Sequence, residues 1–96
     1  MTIAVQQDFD GVTLAQYDAV VAKMGLPHNG THSEAGLLFH FVVQTDNGIR
    51  VTDVWESRAG FEKFAQEKIG PISQEVGFPG PPAIVFTEVH NYNTAG

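Results

Sequence analysis

Residues 37–56 read LLFHFVVQTDNGIRVTDVWE, and this stretch decides the fold. Two runs rich in β-branched and aromatic residues, 37–44 and 49–56, flank the turn sequence TDNG at 45–48. Such runs are typical of strands, and Asn-Gly between them is the strongest short signal for a β-hairpin. The stretch therefore predicts two antiparallel neighbouring strands joined by a two-residue turn at Asn47-Gly48.

The register of this hairpin sorts its side chains into two faces. With the turn at Asn47-Gly48, His40 opposes Trp55 and is a diagonal neighbour of Asp53, within side-chain reach. One face is a packing set that suits covering by helices: Phe39, Phe41, Val43, Thr52 and Val54. The other face adds an imidazole, a carboxylate and an indole to apolar side chains: Leu38, His40, Val42, Val51, Asp53 and Trp55. Apolar walls with few polar groups are typical of a small-molecule pocket, so the second face is the candidate site.

Before the hairpin, the sequence predicts a strand, a helix and a long loop. Alternating apolar residues predict a strand over 3–9. A capping-box pattern from Thr13 to Gln16 begins a helix that ends near Gly25. Residues 26–36 show no periodicity and form a loop of the length that often borders a site.

After the hairpin, the sequence predicts a second helix and a last strand. Ser57 caps the helix, which Gly70-Pro71 interrupts before a further turn that carries Ile72 and Val76. Strand character resumes over 83–89. The resulting order, β-α-β-β-α-β, is the ferredoxin-like α+β fold, with both helices on one face of a four-stranded antiparallel sheet.

Length, composition and charge limit the function classes. The 96 residues amount to one domain, 1–96, and the net charge of −6 opposes a nucleic-acid partner. No cysteine is present, and His28 and His32 are four apart in a loop rather than on a helix, so no metal site is expected. No signal-peptide pattern or membrane-length apolar run occurs, which favours a cytoplasmic protein without a membrane partner. Since one face of the sheet is left without helices, we expect a second copy to cover it in a homodimer.

Residues 36–41 and 51–61 resemble the dimeric α+β barrel superfamily, in particular its antibiotic-biosynthesis-monooxygenase-like branch. The shared pattern is an acid, one intervening residue and an aromatic residue at the end of the third strand, here Asp53-Val54-Trp55. The resemblance implies a homodimer whose sheets face each other, with a pocket between sheet and helices or within the barrel. It also implies oxidation of polycyclic phenols by dioxygen without metal or flavin, although other members degrade haem or cyclise polyketides. Many members carry a histidine in the second helix where this chain has Phe64.

Residues and resemblance together favour a small homodimeric enzyme that binds an apolar aromatic or polyketide-like molecule. The expected reaction is a cofactor-independent oxidation or isomerisation, with His40 as the base toward a phenol or enol and Asp53 as the group that orients it. Trp55 and Tyr17 are candidates for holding the ring. The other candidate substrate-binding residues line the pocket or its rim: Leu38, Val42, Val51 and His90.

Two other functions stay open on the sequence alone. The dimer is alternatively a non-catalytic small-molecule-binding or stress-associated protein in which the polar pair is structural. Haem binding with His40 as the axial ligand is a third hypothesis, opposed by the lack of a basic cluster for the propionates. The ordinary structural roles are core packing for His40 and Tyr17, an interface anchor for Trp55 and an exposed position for His90.

Overall fold

A computed structural model of the chain describes residues 1–95 and shows a four-stranded sheet with its helices on one face. The elements are β1 (Ile3–Asp10), α1 (Leu14–Met24), β2 (Leu37–Gln44), β3 (Gly48–Trp55), α2 (Arg58–Phe64), a π-helical turn (Ala65–Ile69), α3 (Gly70–Val76) and β4 (Ala83–Glu88). The strand order is β2-β3-β1-β4, and every neighbouring pair is antiparallel. The predicted ferredoxin-like α+β arrangement is therefore confirmed.

Helix α1 begins and ends where the local sequence predicts. The Thr13 hydroxyl accepts a hydrogen bond from the Gln16 backbone N–H, and the Gln16 side chain accepts one from the Thr13 backbone N–H, which completes a capping box. At the other end Gly25 adopts a left-handed conformation, with φ of 74°. The strand-to-helix connection is thus set by residues adjacent in sequence.

The hairpin turn lies one residue earlier than predicted. Thr45 donates its backbone N–H to the Gly48 carbonyl, so Asp46 and Asn47 form the tip. Gly48 is needed for a different reason, since a Cβ there would lie 2.0 Å from the carbonyl oxygen of Phe9 in β1. The register consequently shifts by two residues, and His40 pairs directly with Asp53 instead of diagonally.

A bulge in β2 changes one residue of the predicted face. Leu37 pairs with Trp55 and Phe39 pairs with Val54, so Leu38 is the extra residue of the bulge. Leu37 is buried in the core against Trp55, whereas Leu38 is only half-buried. Leu37 therefore joins the side chains that pack beneath the helices, next to Trp55.

The helices cover the opposite face of the hairpin from the one predicted. Val51, Asp53 and Trp55 are buried beneath them. The open face carries large apolar side chains with 42–54% of their surface exposed: Phe39, Phe41, Val43 and Val85. The same open face carries Arg50, which donates two hydrogen bonds to Asp8 and lowers the pKa of that carboxyl. A helical layer packed directly on the pair Asp8 and Arg50 would take both charges out of water, which disfavours placing the helices on this face.

The second helical segment continues through Gly70-Pro71, where a break was predicted. The backbone N–H of Gly70 donates to the carbonyl of Ala65, five residues earlier, which widens the helix into a π turn. Pro71 then lies in the first turn of α3, where it donates no backbone hydrogen bond to the π turn before it. The inserted residue rotates the following turn, so that Ser73 is the buried residue of α3.

Buried polar side chains divide the core into two apolar clusters. Val5 and Trp55 belong to one cluster, and Phe9 and Val51 to the other. Between them lie the buried polar residues of the core: Gln7 on β1, Asp53 on β3 and Ser73 on α3. We call these three residues the polar seam. Over the part of the chain that the structure describes, no helix has the length and hydrophobicity required to cross a membrane.

The close approach of Gly48 to β1 predicts a large effect of one added methyl group. Gly48→Ala is expected to lower the free energy of unfolding by about 1–3 kcal/mol, because the strand backbone must move to relieve the clash. Gly80→Ala is the matched control, since a Cβ there meets no atom within 4 Å, and it should change stability by less than about 0.5 kcal/mol. Urea unfolding of the two variants measures the difference in stability, provided that the free energy of unfolding falls with urea concentration at the same slope in both. Equal midpoints would contradict the close approach.

Candidate active site

A chain of short hydrogen bonds connects Tyr17, His40, Asp53 and Trp55. The Tyr17 hydroxyl lies 2.6 Å from His40 Nε2, and His40 Nδ1 lies 2.6 Å from an Asp53 carboxylate oxygen. The second Asp53 oxygen accepts a hydrogen bond from the Trp55 indole N–H at 3.1 Å. Helix α1 supplies the tyrosine, and the β2–β3 pairing supplies the other three residues.

The proton positions follow from what each group can donate. Asp53 is buried and accepts from His40 and Trp55, so the neutral imidazole places its proton on Nδ1. Nε2 is then a lone-pair acceptor that receives the Tyr17 hydroxyl proton. Burial, reinforced by the negative charges of Asp53 and Asp18, raises the pKa of Tyr17 above its ordinary value and keeps the phenol protonated. The result is an imidazole oriented by a carboxylate, with the Tyr17 phenol hydrogen-bonded to its Nε2.

Two cavities meet at this chain of hydrogen bonds. The outer cleft has a volume of about 320 Å³ and lies between α1, β2 and the loop 26–36. The inner cavity has a volume of about 30 Å³ and lies between the sheet and the helices. Tyr17 and His40 line both of them, as do Leu26 and Leu37. The hydrogen bond between Tyr17 and His40 is therefore at the boundary between a space of ligand size and a space of water size.

The structure brings together some of the predicted site residues and not others. Val42 lines the outer cleft, and Val51 and Asp53 line the inner cavity. Trp55 lies in the core with 1% of its surface exposed, lines neither cavity and contacts Asp53 through its indole N–H. Leu38 also lines neither cavity, and His90 is an exposed residue beyond β4.

Gln7 and Ser73 of the polar seam were not among the predicted site residues, and the loop 26–36 was expected to border a site without any of its residues being assigned to it. Residues of the loop 26–36 form one wall of the outer cleft, as its unusual length suggested. The loop is fastened to the π turn by Lys68, which donates to both carboxylate oxygens of Glu34 at 2.8 and 3.0 Å. Gln7 interrupts the inward apolar positions of β1, and that polar residue was a usable signal. No sequence signal identified Ser73, because the π turn shifts which positions of the helix face the sheet.

The geometry gives little support to a metal site or to haem binding. Among residues 1–95, no group of three or more histidine, aspartate or glutamate side chains is arranged to hold a metal ion. Both ring nitrogens of His40 are already hydrogen-bonded, so an axial haem bond would have to replace one of these contacts. Two cations that could contact haem propionates, Arg50 and Arg58, pair with Asp8 and Glu62. The side chains around His40 therefore do not fit a haem.

Solved structures share this fold over the full chain. A candidate antibiotic biosynthesis monooxygenase from Chloroflexus aurantiacus J-10-fl matches with a TM-score of 0.62 and 20% identity, covering 100% of both chains. The chain has the fold of the antibiotic biosynthesis monooxygenases. The ActVA-Orf6 monooxygenase of Streptomyces coelicolor, in complex with nanaomycin D, matches with a TM-score of 0.58 and 18% identity, covering 99% of this chain and 92% of that one.

A third neighbour is SnoaB from Streptomyces nogalater, a cofactor-independent oxygenase. It matches with a TM-score of 0.59 and 14% identity over 95% of this chain and 94% of that one. No protein-family model and no curated sequence matches the chain. The likeness at this level of identity concerns the backbone, so the chemistry must be argued from the side chains of this chain.

The raised pKa of Tyr17 predicts a loss of stability in alkaline solution. A tyrosine whose pKa is higher in the folded than in the unfolded protein stabilises the fold fully below its ordinary value of 10.0, and this stabilisation is lost as the pH rises through the folded value. We expect the stability of the wild type to fall above about pH 10, and that of Tyr17→Phe to fall less. Urea unfolding across the alkaline range measures both. Parallel pH profiles would contradict a buried, protonated Tyr17.

Proposed function

We propose that the protein is a small homodimeric enzyme that binds an apolar aromatic or polyketide-like molecule in the outer cleft. The proposed reaction is a cofactor-independent oxidation or isomerisation that begins with proton removal from the bound molecule. The observation that carries the proposal is the chain Asp53–His40–Tyr17, with two contacts of 2.6 Å, beside a cleft of about 320 Å³. A carboxylate-oriented base at the wall of a ligand-sized cleft is the arrangement that general base catalysis requires.

The proposed proton path uses the tyrosine as a relay. Tyr17 lines the outer cleft, so its oxygen can accept the proton of a phenol or enol while its own proton moves to His40 Nε2. Asp53 stabilises the imidazolium that forms, because its carboxylate already holds Nδ1–H. The raised pKa of Tyr17 matters here, since a tyrosine that stayed ionised would leave no proton to pass on. The product of this step is an electron-rich phenolate or enolate.

Two outcomes are open to that anion. In the oxidation, a methylene group conjugated to the anion gives its electrons to dioxygen. One oxygen atom becomes the carbonyl of the product, and the other leaves as water. In the isomerisation, the anion takes its proton back at another carbon. The cofactor-independent oxygenase among the structural neighbours supports the first outcome.

The lining of the outer cleft supports an uncharged aromatic ligand. About half of its lining residues are apolar, among them Leu14, Val21, Leu26, Leu37 and Val42, and the polar lining residues include Asp18, His28 and His32. The volume is at the lower end of the range for small-molecule pockets and accommodates two or three fused rings. Asp18 at the cleft and the net charge of −6 disfavour an anionic ligand. The nanaomycin D complex of one neighbour supports a polyketide-like molecule.

The open face of the sheet supports the homodimer. It presents adjacent aromatic and aliphatic side chains on β2, with Phe39 and Phe41 in mutual contact at a ring-centroid distance of 6.0 Å. A contiguous apolar face of this kind on a small domain marks an interface. The proposed partner is a second copy packed sheet to sheet.

A charge on the open face is expected to separate the subunits. Phe39→Glu should raise the dimer dissociation constant at least about 100-fold, because a carboxylate would be buried without a partner. Gln66→Glu introduces the same charge at an exposed helical position and should leave association unchanged. Sedimentation equilibrium of both variants and the wild type measures the effect. A wild type that is monomeric at micromolar concentration would contradict the dimer.

The catalytic roles predict a loss of turnover on a polycyclic phenol. Dithranol, a dihydroxylated anthrone, is a suitable probe because its methylene group becomes a carbonyl on oxidation. His40→Gln and Asp53→Asn are each expected to lower kcat about 100-fold or more, because the base is removed or loses its orientation. Asp46→Asn, at the exposed hairpin tip, makes the same chemical change outside the site and should keep full activity.

Oxygen consumption and anthraquinone formation, measured together, test this prediction. Turnover that is unchanged in His40→Gln would contradict the role of the imidazole. Tight binding of dithranol by the wild type without oxygen consumption above the uncatalysed rate would instead favour the non-catalytic binding protein.

A further inference from the structure

Ser73 is a buried polar residue that the proposed proton path does not use. Only 7% of its surface is exposed, and among residues 1–95 its Oγ finds no hydrogen-bond partner. Buried hydroxyls in folded proteins are nearly always hydrogen-bonded, because an unpaired one loses its bonds to water on folding. Ser73 lines the inner cavity, so a partner for its hydroxyl can only be something that enters that space.

The π turn is what directs Ser73 toward the sheet. In a regular helix continued from α2, the apolar repeat places Ile72 on the inward face. The extra residue of the π turn advances this position by one, so a serine is buried where an isoleucine was available. The π turn is a less favourable helical geometry, and it replaces an apolar core residue with a hydroxyl. Both effects lower the stability of the fold. Such turns are found frequently at functional sites.

The size and lining of the inner cavity limit what can enter. About 30 Å³ is the space of one water molecule and cannot hold a ring. Polar groups reach it from four elements besides α3: Gln7 on β1, Tyr17 on α1, His40 on β2 and Asp53 on β3. An apolar occupant would leave Ser73 unpaired, and an anion would face the Asp53 carboxylate.

We propose that the inner cavity is an oxygen subsite, which holds a single uncharged hydrogen-bonding oxygen atom between Ser73 and the His40–Asp53 pair. The oxygen comes from one of two sources: a resident water molecule, or a hydroxyl group of a ligand whose ring lies in the outer cleft. The second source rests on the proposed function, and the first does not. Ser73 is then a binding residue, and the π turn directs its side chain toward the inner cavity.

The stability of the free protein tests the subsite without any ligand. If an oxygen is held, Ser73→Ala removes one of its hydrogen bonds and should lower Tm by several degrees relative to Gln74→Ala. Gln74 is the adjacent exposed position of α3, so its variant controls for the better helix propensity of alanine. If nothing polar is held, Ser73→Ala removes an unpaired hydroxyl and Tm equals or exceeds that of the control. That result excludes a resident water molecule, and it overturns the subsite if Ser73→Ala also leaves the affinity for dithranol unchanged.

Ligand binding then identifies the source of the oxygen. Dithranol and anthrone share one ring system and differ in the two phenolic hydroxyls, so anaerobic titration of both isolates the contribution of these oxygens. A loss of about tenfold in dithranol affinity in Ser73→Ala, with anthrone unchanged, assigns the oxygen to the ligand. Unchanged affinities for both, together with a lowered Tm, assign it to water.

Failure of the proposed function is distinguishable from failure of the subsite. If the wild type binds neither compound, the proposed ligand class is wrong, while the Tm comparison still decides the subsite. A crystal structure of the free protein adds a direct observation, since an electron-density peak within hydrogen-bond distance of Ser73 Oγ is expected. A cavity without a peak in a well-ordered crystal, with an unchanged Tm and an unchanged affinity of Ser73→Ala for dithranol, would overturn the proposal.

Discussion

The buried carboxylate of Asp53 is the constraint on which the arrangement of the site depends. A carboxylate with 3% of its surface exposed stays charged only if donors surround it. His40 and Trp55 are those donors, one from the paired strand and one from two residues along the same strand. The strand register, the imidazole tautomer and the depth of the indole are therefore tied to one another. Any change that moves one of them leaves a buried charge incompletely paired.

The same constraint explains why the core is split. An unbroken apolar core beneath the sheet would bury more hydrocarbon, but the polar seam runs through it from β1 to α3. The seam places a proton acceptor at the junction of two cavities, and a fully apolar layer could not do this. Proteins often give up stability at the positions where they carry out chemistry.

Local signals predicted most of the fold, and interactions between distant residues account for the errors. The capping box at Thr13 and the strand alternation involve near neighbours, and both are confirmed. The hairpin turn was placed one residue too late because Gly48 serves a contact with Phe9, which is far away in sequence. That error moved the register by two residues. Because side chains alternate with a period of two, His40 and Asp53 still shared a face.

The contribution of Ser73 to the inner cavity could not be predicted from the sequence, because the direction of its side chain depends on a change of helical phase. Nothing in residues 65–69 identifies a π turn, and without it Ser73 belongs to the exposed side of its helix. Trp55 shows the opposite case. Its place beside Asp53 was anticipated, but its depth depends on the packing of Phe61 and Phe64, which periodicity does not determine.

The fastening of the loop 26–36 has a consequence for how the wall of the cleft responds to salt. This wall contacts the helical layer through the ion pair of Glu34 with Lys68, and about half of the lysine side chain is in solvent. Exposed ion pairs weaken as the ionic strength rises, whereas the aliphatic wall from α1 and β2 is insensitive to salt. The fastening of the loop is therefore the part of the cleft wall that responds to ionic strength, whereas the rest of the wall is held by apolar packing.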